Sequence, residues 1–398
     1  MLNYSTPGVY VEEISGGSRP IVAVGTSTAG FVGVAPEPRR RLDEAVRVNN
    51  WQHFKRLFCS ESSTGTDLSR AVWGFFLNGG KNLYVVNVGA IDRLDAGLEA
   101  LGRIDEIAIV AAPGATGAAA YESLLGHCER LEDRVAILDA PLDVPDLRAL
   151  TEVATEGAPP ADDDAEPVPA GGLRPRNSDR GFGAFYFPWV GVRDPLATTR
   201  QVVFTPPSGH VAGIYARSDG ERGVHKAPAN EGVRGALSLS YRVSREEQGI
   251  LNDNGVNCIR FFTREGIRVW GGRTLAPAAS EWRYINVRRL FNMIEESIAE
   301  STRWVVFEPN DQSLWKSIRR DVTAFLMRLW RDGALRGATP EQAFFVQCDE
   351  ETNPPEVIDA GQVVTVIGLA PVKPAEFIIF RIGQTAAGAE VEDAGGEG

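Results

Sequence analysis

The stretch Glu356–Gln384 constrains this chain more than any other part of it. Two β-prone apolar runs, Val363–Ile367 and Phe377–Ile382, flank the break Pro371-Val372-Lys373-Pro374, and a Gly/Ala/Glu tail follows. Pro371 and Pro374 each lack a backbone donor and push the preceding residue toward extended geometry. The second run therefore cannot fold straight back on the first through a two-residue hairpin. It reads as a bare hydrophobic strand, Phe377, Ile378, Ile379, Phe380, Arg381 and Ile382, on a stiff tether. Left unpaired, such a strand is an aggregating edge. Two outcomes are open: it caps the chain's own sheet, or it pairs with another copy. The other terminus matches it. Thr6–Ile14 alternates Val9 and Val11 against Tyr10 and Glu12, with Glu13 following, a period-2 strand that starts at Pro7-Gly8. It ends in Ser15-Gly16-Gly17-Ser18, a hinge composition. Strands on tethers at both ends, hinged at Gly16 and Gly17 and at Pro371 and Pro374, suggest subunits joined by exchanged strands.

At 398 residues the chain has material for two or three domains with sizeable cores. A net charge of -12 argues against a nucleic-acid partner, because little would neutralise a phosphate backbone. No basic and apolar leader opens the sequence, and no apolar run reaches the ~20 residues of a membrane span. Cys59, Cys128, Cys258 and Cys348 stand far apart and read as free, mostly buried thiols of a reducing cytoplasm.

The order of patterns predicts an α/β fold. Ile21–Val24 and Phe31–Val34 bracket Gly25–Gly30, Trp51–Phe58 reads as a short helix, and Asp67–Leu77 as a longer one with Asp67 as its N-cap. Leu83–Val88, Ile107–Ala112, a helix over Ala118–Leu131 and Val135–Leu138 spell the alternation of a parallel sheet with crossover helices. Glu152–Asp179 breaks it with prolines, Asp162-Asp163-Asp164 and almost nothing apolar, which predicts a mobile, solvent-facing loop. Order returns at Phe182–Val192. Farther on, Ile259–Thr263 and Ile267–Trp270 bracket Arg264-Glu265-Gly266 as a hairpin. Trp282–Ser301 predicts a helix with Val287, Leu290, Phe291, Ile294 and Ile298 on one face. Asn310 or Asp311 caps a second helix that runs to Asp332 and stops at Gly333, with Leu314, Ile318, Val322, Phe325, Leu326 and Leu329 on its apolar face.

Catalytic patterns fall short. Gly25–Gly30 has the spacing of a phosphate loop and follows the strand expected over Ile21–Val24, but Phe31 and Val32 stand where Lys and Ser/Thr hold phosphate and magnesium. Gly25-Thr26-Ser27-Thr28-Ala29 nearly matches a nucleophile elbow, with His210 or His225 as a conceivable base. Ala29, however, occupies the second glycine position and no Asp partner presents itself. A glycine-rich turn explains both. His127-Cys128 is a lone pair on a helix, without further ligands at metal-site spacing. Asp349-Glu350-Glu351 with Asp253 reads better as a solvated acidic loop than as an acid–base pair. No catalytic, cofactor-binding or metal residue is assigned. Lys316, Arg320 and Arg331, with Arg319 at their margin, form a basic stripe in an acidic chain, either a solvated helix face or a contact surface.

Tyr4–Ile14 (YSTPGVYVEEI), Gly209–Asn230 (GHVAGIYARSDGERGVHKAPAN), Arg303–Gly337, Asp349–Pro355 (DEETNPP) and Ala370–Arg381 (APVKPAEFIIFR) resemble the tail sheath family, while roughly Leu94–Thr205 matches only loosely. That family forms the contractile sheaths of phage tails and of phage-tail-like injection systems. The resemblance implies a multi-domain α/β (α+β) subunit with mixed sheets, helices on their faces and terminal strand arms. It divides the chain into an N-terminal arm (1–20), a first part of the core (21–93), an outer variable domain (94–205) with the acidic loop 152–179, a C-terminal core domain (206–355), and a C-terminal arm with an acidic tail (356–398). It further implies hexameric rings of self, stacked helically around an inner tube between a baseplate and a terminator or cap. Lys316, Arg319, Arg320 and Arg331 would then face the tube. The same resemblance implies assembly in the bacterial cytoplasm with no nucleotide or other cofactor, while the charge and the short apolar runs predict no nucleic-acid partner and no membrane insertion. An α/β hydrolase-like enzyme and a non-contractile scaffold are the competing classes.

Overall fold

The computed structural model describes residues 20–156 and 171–379. Short apolar runs without polar alternation make strands buried on both faces, and here six of them lie parallel. In chain order the elements begin with β1 (Ala29–Gly33), β2 (Ala45–Val48), α1 (Trp51–Phe58), α2 (Asp67–Leu77), β3 (Leu83–Asn87) and α3 (Leu94–Leu101). Next come β4 (Ile109–Ala111), α4 (Ala118–Leu131), β5 (Val135–Asp139), β6 (Gly183–Phe187), β7 (Val190–Arg193) and β8 (Val202–Thr205). Then follow α5 (Ser208–Arg222), β9 (Glu231–Gly232), β10 (Ser238–Leu239), α6 (Arg245–Asp253), β11 (Val256–Phe262) and β12 (Gly266–Val269). The last are α7 (Ile285–Ser301), α8 (Gln312–Arg331), α9 (Pro340–Ala343), β13 (Phe344–Gln347), α10 (Pro355–Asp359) and β14 (Val366–Leu369).

A nine-stranded sheet of order β2-β3-β1-β4-β5-β6-β11-β12-β9 forms the centre. Strands β3, β1, β4, β5, β6 and β11 run parallel, while β2, β12 and β9 add antiparallel edges. Successive residues serve opposite faces. Phe31, Val85, Ile137 and Tyr186 meet α1, α2 and α5 on one side. Val32, Val86, Leu138 and Phe185 meet α3, α4 and α6 on the other. Helices α2 and α5 cross closely because small residues line the contact. A Cβ at Gly213 would stand 2.4 Å from the Phe75 carbonyl oxygen, and one at Gly209 2.4 Å from the Ala71 Cα.

A third core is made by α7, α8 and the β13–β14 ribbon, around Leu290, Ile294, Ile318, Val322, Phe325 and Phe344. The one-face pattern expected for α7 holds only over its later turns. Ile285–Leu290 is buried all round, Asn286, Arg288 and Arg289 included, because the helix is wedged between the central sheet and the third core. Arg288 is accommodated there by stacking at 4.2 Å from the Trp282 ring and 4.8 Å from Phe182.

Three local expectations are corrected. Thr66, not Asp67, caps α2, through a reciprocal capping box with Ser69, and Asp67 instead pairs with Arg70. Ile21–Val24 forms no strand, so Gly25–Gly30 does not follow one. Ser27 precedes β1 and is not on a strand-to-helix turn, which removes the elbow geometry. The loop expected over Glu152–Asp179 is bonded into the body at both described flanks. Val153 bridges Arg174, Thr155 bridges Gly171, and Arg174 is buried with its Nε on the Asn254 carbonyl at 2.6 Å. Arg176 holds Glu122 and Glu129. The acidic count hid these two arginines, each of which has partners outside the loop. Residues 157–170 lie outside the described residues.

Candidate assembly site at the roots of the two arms

Of the residues expected to form exchange arms, Val9, Tyr10, Val11, Glu12 and Glu13, the hinge Gly16-Gly17, and Phe380, Arg381 and Ile382 lie outside the described residues. The roots of both arms are described, and both are built on α7. On the N-terminal side, residues 22–26 are bonded along the helix without regular secondary structure of their own. The Val22 N–H donates to Ser301 Oγ (3.2 Å) and the Val24 N–H to Ser297 Oγ (3.0 Å). The spacing fits: the four residues from Ser297 to Ser301 rise about 6 Å, close to the ~6.6 Å between alternate residues of an extended chain. Ile21 plugs into the third core at 1% exposure, and Arg328 holds its carbonyl.

The same segment is tied to the central sheet. Arg289 donates to the Thr26 carbonyl (2.9 Å) and pairs with Asp219, both side chains almost fully buried, while the Thr26 hydroxyl donates to Asp219 Oδ2 (2.6 Å). Arg289 also stacks 4.7 Å over Tyr215, whose hydroxyl bonds that of Tyr186 at 2.7 Å. A buried pair missing one partner is costly, so this network locks β6, α5, α7 and the N-terminal root together.

On the C-terminal side, Pro371 bridges Leu335, and the Val372 N–H donates to the Ala334 carbonyl (3.2 Å). Asn286 Nδ2 donates to the Val372 carbonyl (3.2 Å). Glu376 then pairs with Arg273. Immediately beyond, Phe377, Ile378 and Ile379 are 72%, 75% and 80% exposed and join no strand. The two roots sit near opposite ends of α7, which at 17 residues is about 25 Å long.

The ribbon β13–β14 lies beside the C-terminal root. It has two strands, and each keeps an unpaired outer edge among the described residues. Phe345 and Val366 are half-exposed on it, and the Phe345 ring lies over Gly368. Open edges with apolar faces are where a further strand can add.

Lys316, Arg319, Arg320 and Arg331 are all exposed on α8, opposite its buried face. Lys316 and Arg319 share a surface cavity of about 390 Å³ with Trp315, Asp349, Glu350 and Glu351. Arg320 is bonded to Asp321 (2.9 Å), which is buried and whose other carboxylate oxygen has no hydrogen-bond partner.

The residues weighed for catalysis are dispersed. Cys128 packs in the core, and His127 is buried with both ring nitrogens unpartnered. His210 is fully buried on α5 against Gly74 of α2, and burial pulls its imidazole down to about 4. Asp253 lies 3.6 Å from Arg273, with Asp349 at the end of β13. Among the described residues no three His, Cys, Asp or Glu side chains gather as a metal site, and no helix is long and apolar enough to cross a membrane. Arg273–Glu376 and Ser297/Ser301 carry the arm roots and were not singled out from sequence.

Residues 182–275 match the family model of the phage tail sheath protein central domain, and residues 278–385 that of the phage tail sheath C-terminal domain. The tail sheath protein of Vibrio phage KVP40 is 30% identical over 190 residues, 47% of this chain and 27% of that protein. The tail sheath protein of Escherichia phage P2 is 29% identical over 194 residues, 47% of this chain and 46% of that protein. The match thus spans between a quarter and a half of these curated relatives. Solved structures match from end to end. The sheath complex of the extracellular contractile injection system PVC, in its contracted state, is 30% identical with a TM-score of 0.75, over 97% of this chain and 99% of that one. The helical sheath of the anti-feeding prophage, also contracted, is 31% identical with a TM-score of 0.74, over 96% and 100%. By its family models and by this end-to-end likeness, the chain belongs to the contractile tail sheath family.

Proposed function

We propose that copies of this chain polymerise as stacked hexameric rings into a helical sheath around an inner tube, and that the sheath shortens to drive the tube through a target envelope. The observation that carries this reading is the likeness, over nearly the whole chain, to sheath subunits seen in contracted assemblies. The particle is a phage tail or a phage-tail-like injection system, assembled in the bacterial cytoplasm and bounded by a baseplate and a terminator. The work comes from a packing difference between an extended, metastable sheath and a shorter, wider one, so no nucleotide enters. Rigid subunits rotate while their joints persist, and the buried Arg289–Asp219 network supports the rigidity.

In this reading the joints are exchanged strands. Val9–Glu13 and Phe377–Ile382 add to the β13–β14 ribbons of neighbouring subunits, the first by way of the Gly16-Gly17 hinge and the second from the bonded Pro371–Glu376 segment. Lys316, Arg319, Arg320 and Arg331 face the tube. Electron microscopy of the purified protein expressed with its tube protein tests the assembly. Hollow, regularly striated tubes are the expected result; uniform discrete particles at all concentrations overturn the reading.

A further inference from the structure

From Val372 to Ile379 the chain has no regular secondary structure, yet its first part is not loose. Pro371 is bridged to Leu335, and Val372 is bonded through its N–H to Ala334 and through its carbonyl to Asn286. At Glu376 both carboxylate oxygens are taken. Oε1 accepts from Arg273 Nε (2.8 Å) and Asn252 Nδ2 (3.4 Å); Oε2 accepts from Arg273 Nη2 (2.8 Å) and the Tyr284 hydroxyl (3.1 Å). The Arg273 side chain is 7% exposed and that of Glu376 18%, whereas Phe377, the next residue, is 72% exposed.

A two-point guanidinium–carboxylate pair fixes direction as well as distance. Arg273 is itself held, since its Nη1 donates to the Asn252 carbonyl (2.8 Å) and its own N–H to Asn257 Oδ1 (2.8 Å). Asn257 belongs to β11, so the pair ties the arm to the central sheet, away from the third core on which Pro371 rests.

We infer that Glu376 is a positioning residue which, with Arg273, mounts the C-terminal arm on the central sheet, so that the arm pivots at the Glu376–Phe377 junction and everything before it moves with the body. The bend expected at Pro371 and Pro374 thereby shifts to the residue where the bonds end. Fixing the pivot narrows the positions open to Phe377–Ile379, which raises their effective concentration at a neighbour within reach. That consequence rests on the strand-exchange reading; the mount itself is a property of one subunit. Burial alone would raise the Glu376 carboxyl, but the bonds and charge of Arg273, aided by Tyr284 and Asn252, outweigh it and hold the group below its ordinary value of 4.5. A depressed carboxyl contributes above its unfolded value and is lost only as pH falls through the folded one. The mount therefore persists at neutral pH.

The four native cysteines are buried, so a cysteine introduced at Ala375, which is exposed and lies beyond the bonds that hold Val372, accepts a spin label selectively in the full-length subunit. The Ala375→Cys label should be immobile in the otherwise unaltered chain. Glu376→Ala should raise its mobile fraction on the order of tenfold, the loss of about one strong charged bond. Glu376→Gln, which keeps one acceptor oxygen, should fall between and carries the test if the alanine variant fails to fold. A label equally mobile without either Glu376 change, or indifferent to both, overturns the mount. Tube formation is read separately. A mobilised label with normal tubes upholds the mount and counts against its role in assembly; a mobilised label with fewer or shorter tubes upholds both.

Discussion

Asp139 closes β5 with a carboxylate only 2% exposed, and it shows how single residues set the fold's response to pH. Its Oδ1 accepts the Ser208 N–H (2.8 Å) and its Oδ2 the Ser208 hydroxyl (2.6 Å), joining the central sheet to the first turn of α5. Burial pushes the carboxyl up to about 7 from 3.8, although the bonds from Ser208 and Gly114 pull the other way. The sign follows from which state holds the proton. Between pH 3.8 and about 7 the folded chain keeps a proton that the unfolded chain has released. The contribution is full below that window and is lost as pH rises through it. Asp139→Asn removes the titration while keeping an acceptor for the Ser208 N–H. The stability advantage of the wild type over the variant, measured as urea midpoints, should therefore shrink steadily from pH 4 to pH 7. Parallel curves over that range would refute the assignment.

Among the elements, α8 is the one whose two faces have separate uses. Leu314, Ile318, Val322, Phe325 and Leu326 bury one face, and Lys316, Arg319, Arg320 and Arg331 are exposed on the other. Reversing the basic face tests tube contact only if folding survives, and here Arg320 is the wrong residue to change. A carboxylate there would face the buried Asp321 carboxylate, one oxygen of which already lacks a partner. Lys316→Gln with Arg319→Gln avoids this and puts no further carboxylate beside Asp349, Glu350 and Glu351. The pair should leave the thermal midpoint nearly unchanged, since exposed charges contribute at most about 1 kcal/mol, and should weaken co-sedimentation with the tube, more so at low salt. Unaltered binding at every salt concentration would leave α8 as a solvated face. Both faces were legible in the sequence because a 3.6-residue period records burial directly. The parallel strands were legible for a similar reason, since Leu83–Val88 and Val135–Leu138 are apolar on both faces. Ile21–Val24 is as apolar, yet its N–H groups are met by Ser297 and Ser301 instead of a ladder. A partner some 270 residues away leaves no local trace. The Arg273–Glu376 pair, 103 residues apart, was hidden in the same way, and α7 read as one-faced because its second neighbour is the central sheet.

At the scale of the whole molecule, three cores are fastened into one body, and the two arm roots leave it near opposite ends of α7. Roots about 25 Å apart give the two ends of the chain separate points of departure from the body. Each backbone hydrogen bond contributes only about 0.5–1.5 kcal/mol net, and each buried Phe or Ile about 1.5–3 kcal/mol. An added strand with several of both holds through a large rigid-body rotation, while the body's own stability owes nothing to it. Phe377, Ile378 and Ile379 are exposed, and the third core is closed by α7, α8 and the ribbon without them. Removing Phe377–Gly398 should accordingly leave a folded subunit, with an unchanged circular-dichroism melt, that builds no tubes. A cysteine at Ile379 paired with one at Val366 on the exposed ribbon face should form its disulfide between chains, because Ile379 is exposed and joins no strand of its own chain's ribbon, and the native thiols are buried. Bonds formed only within single chains, or normal tubes from the shortened protein, would sink the strand-exchange mechanism while leaving the family and the fold as they stand.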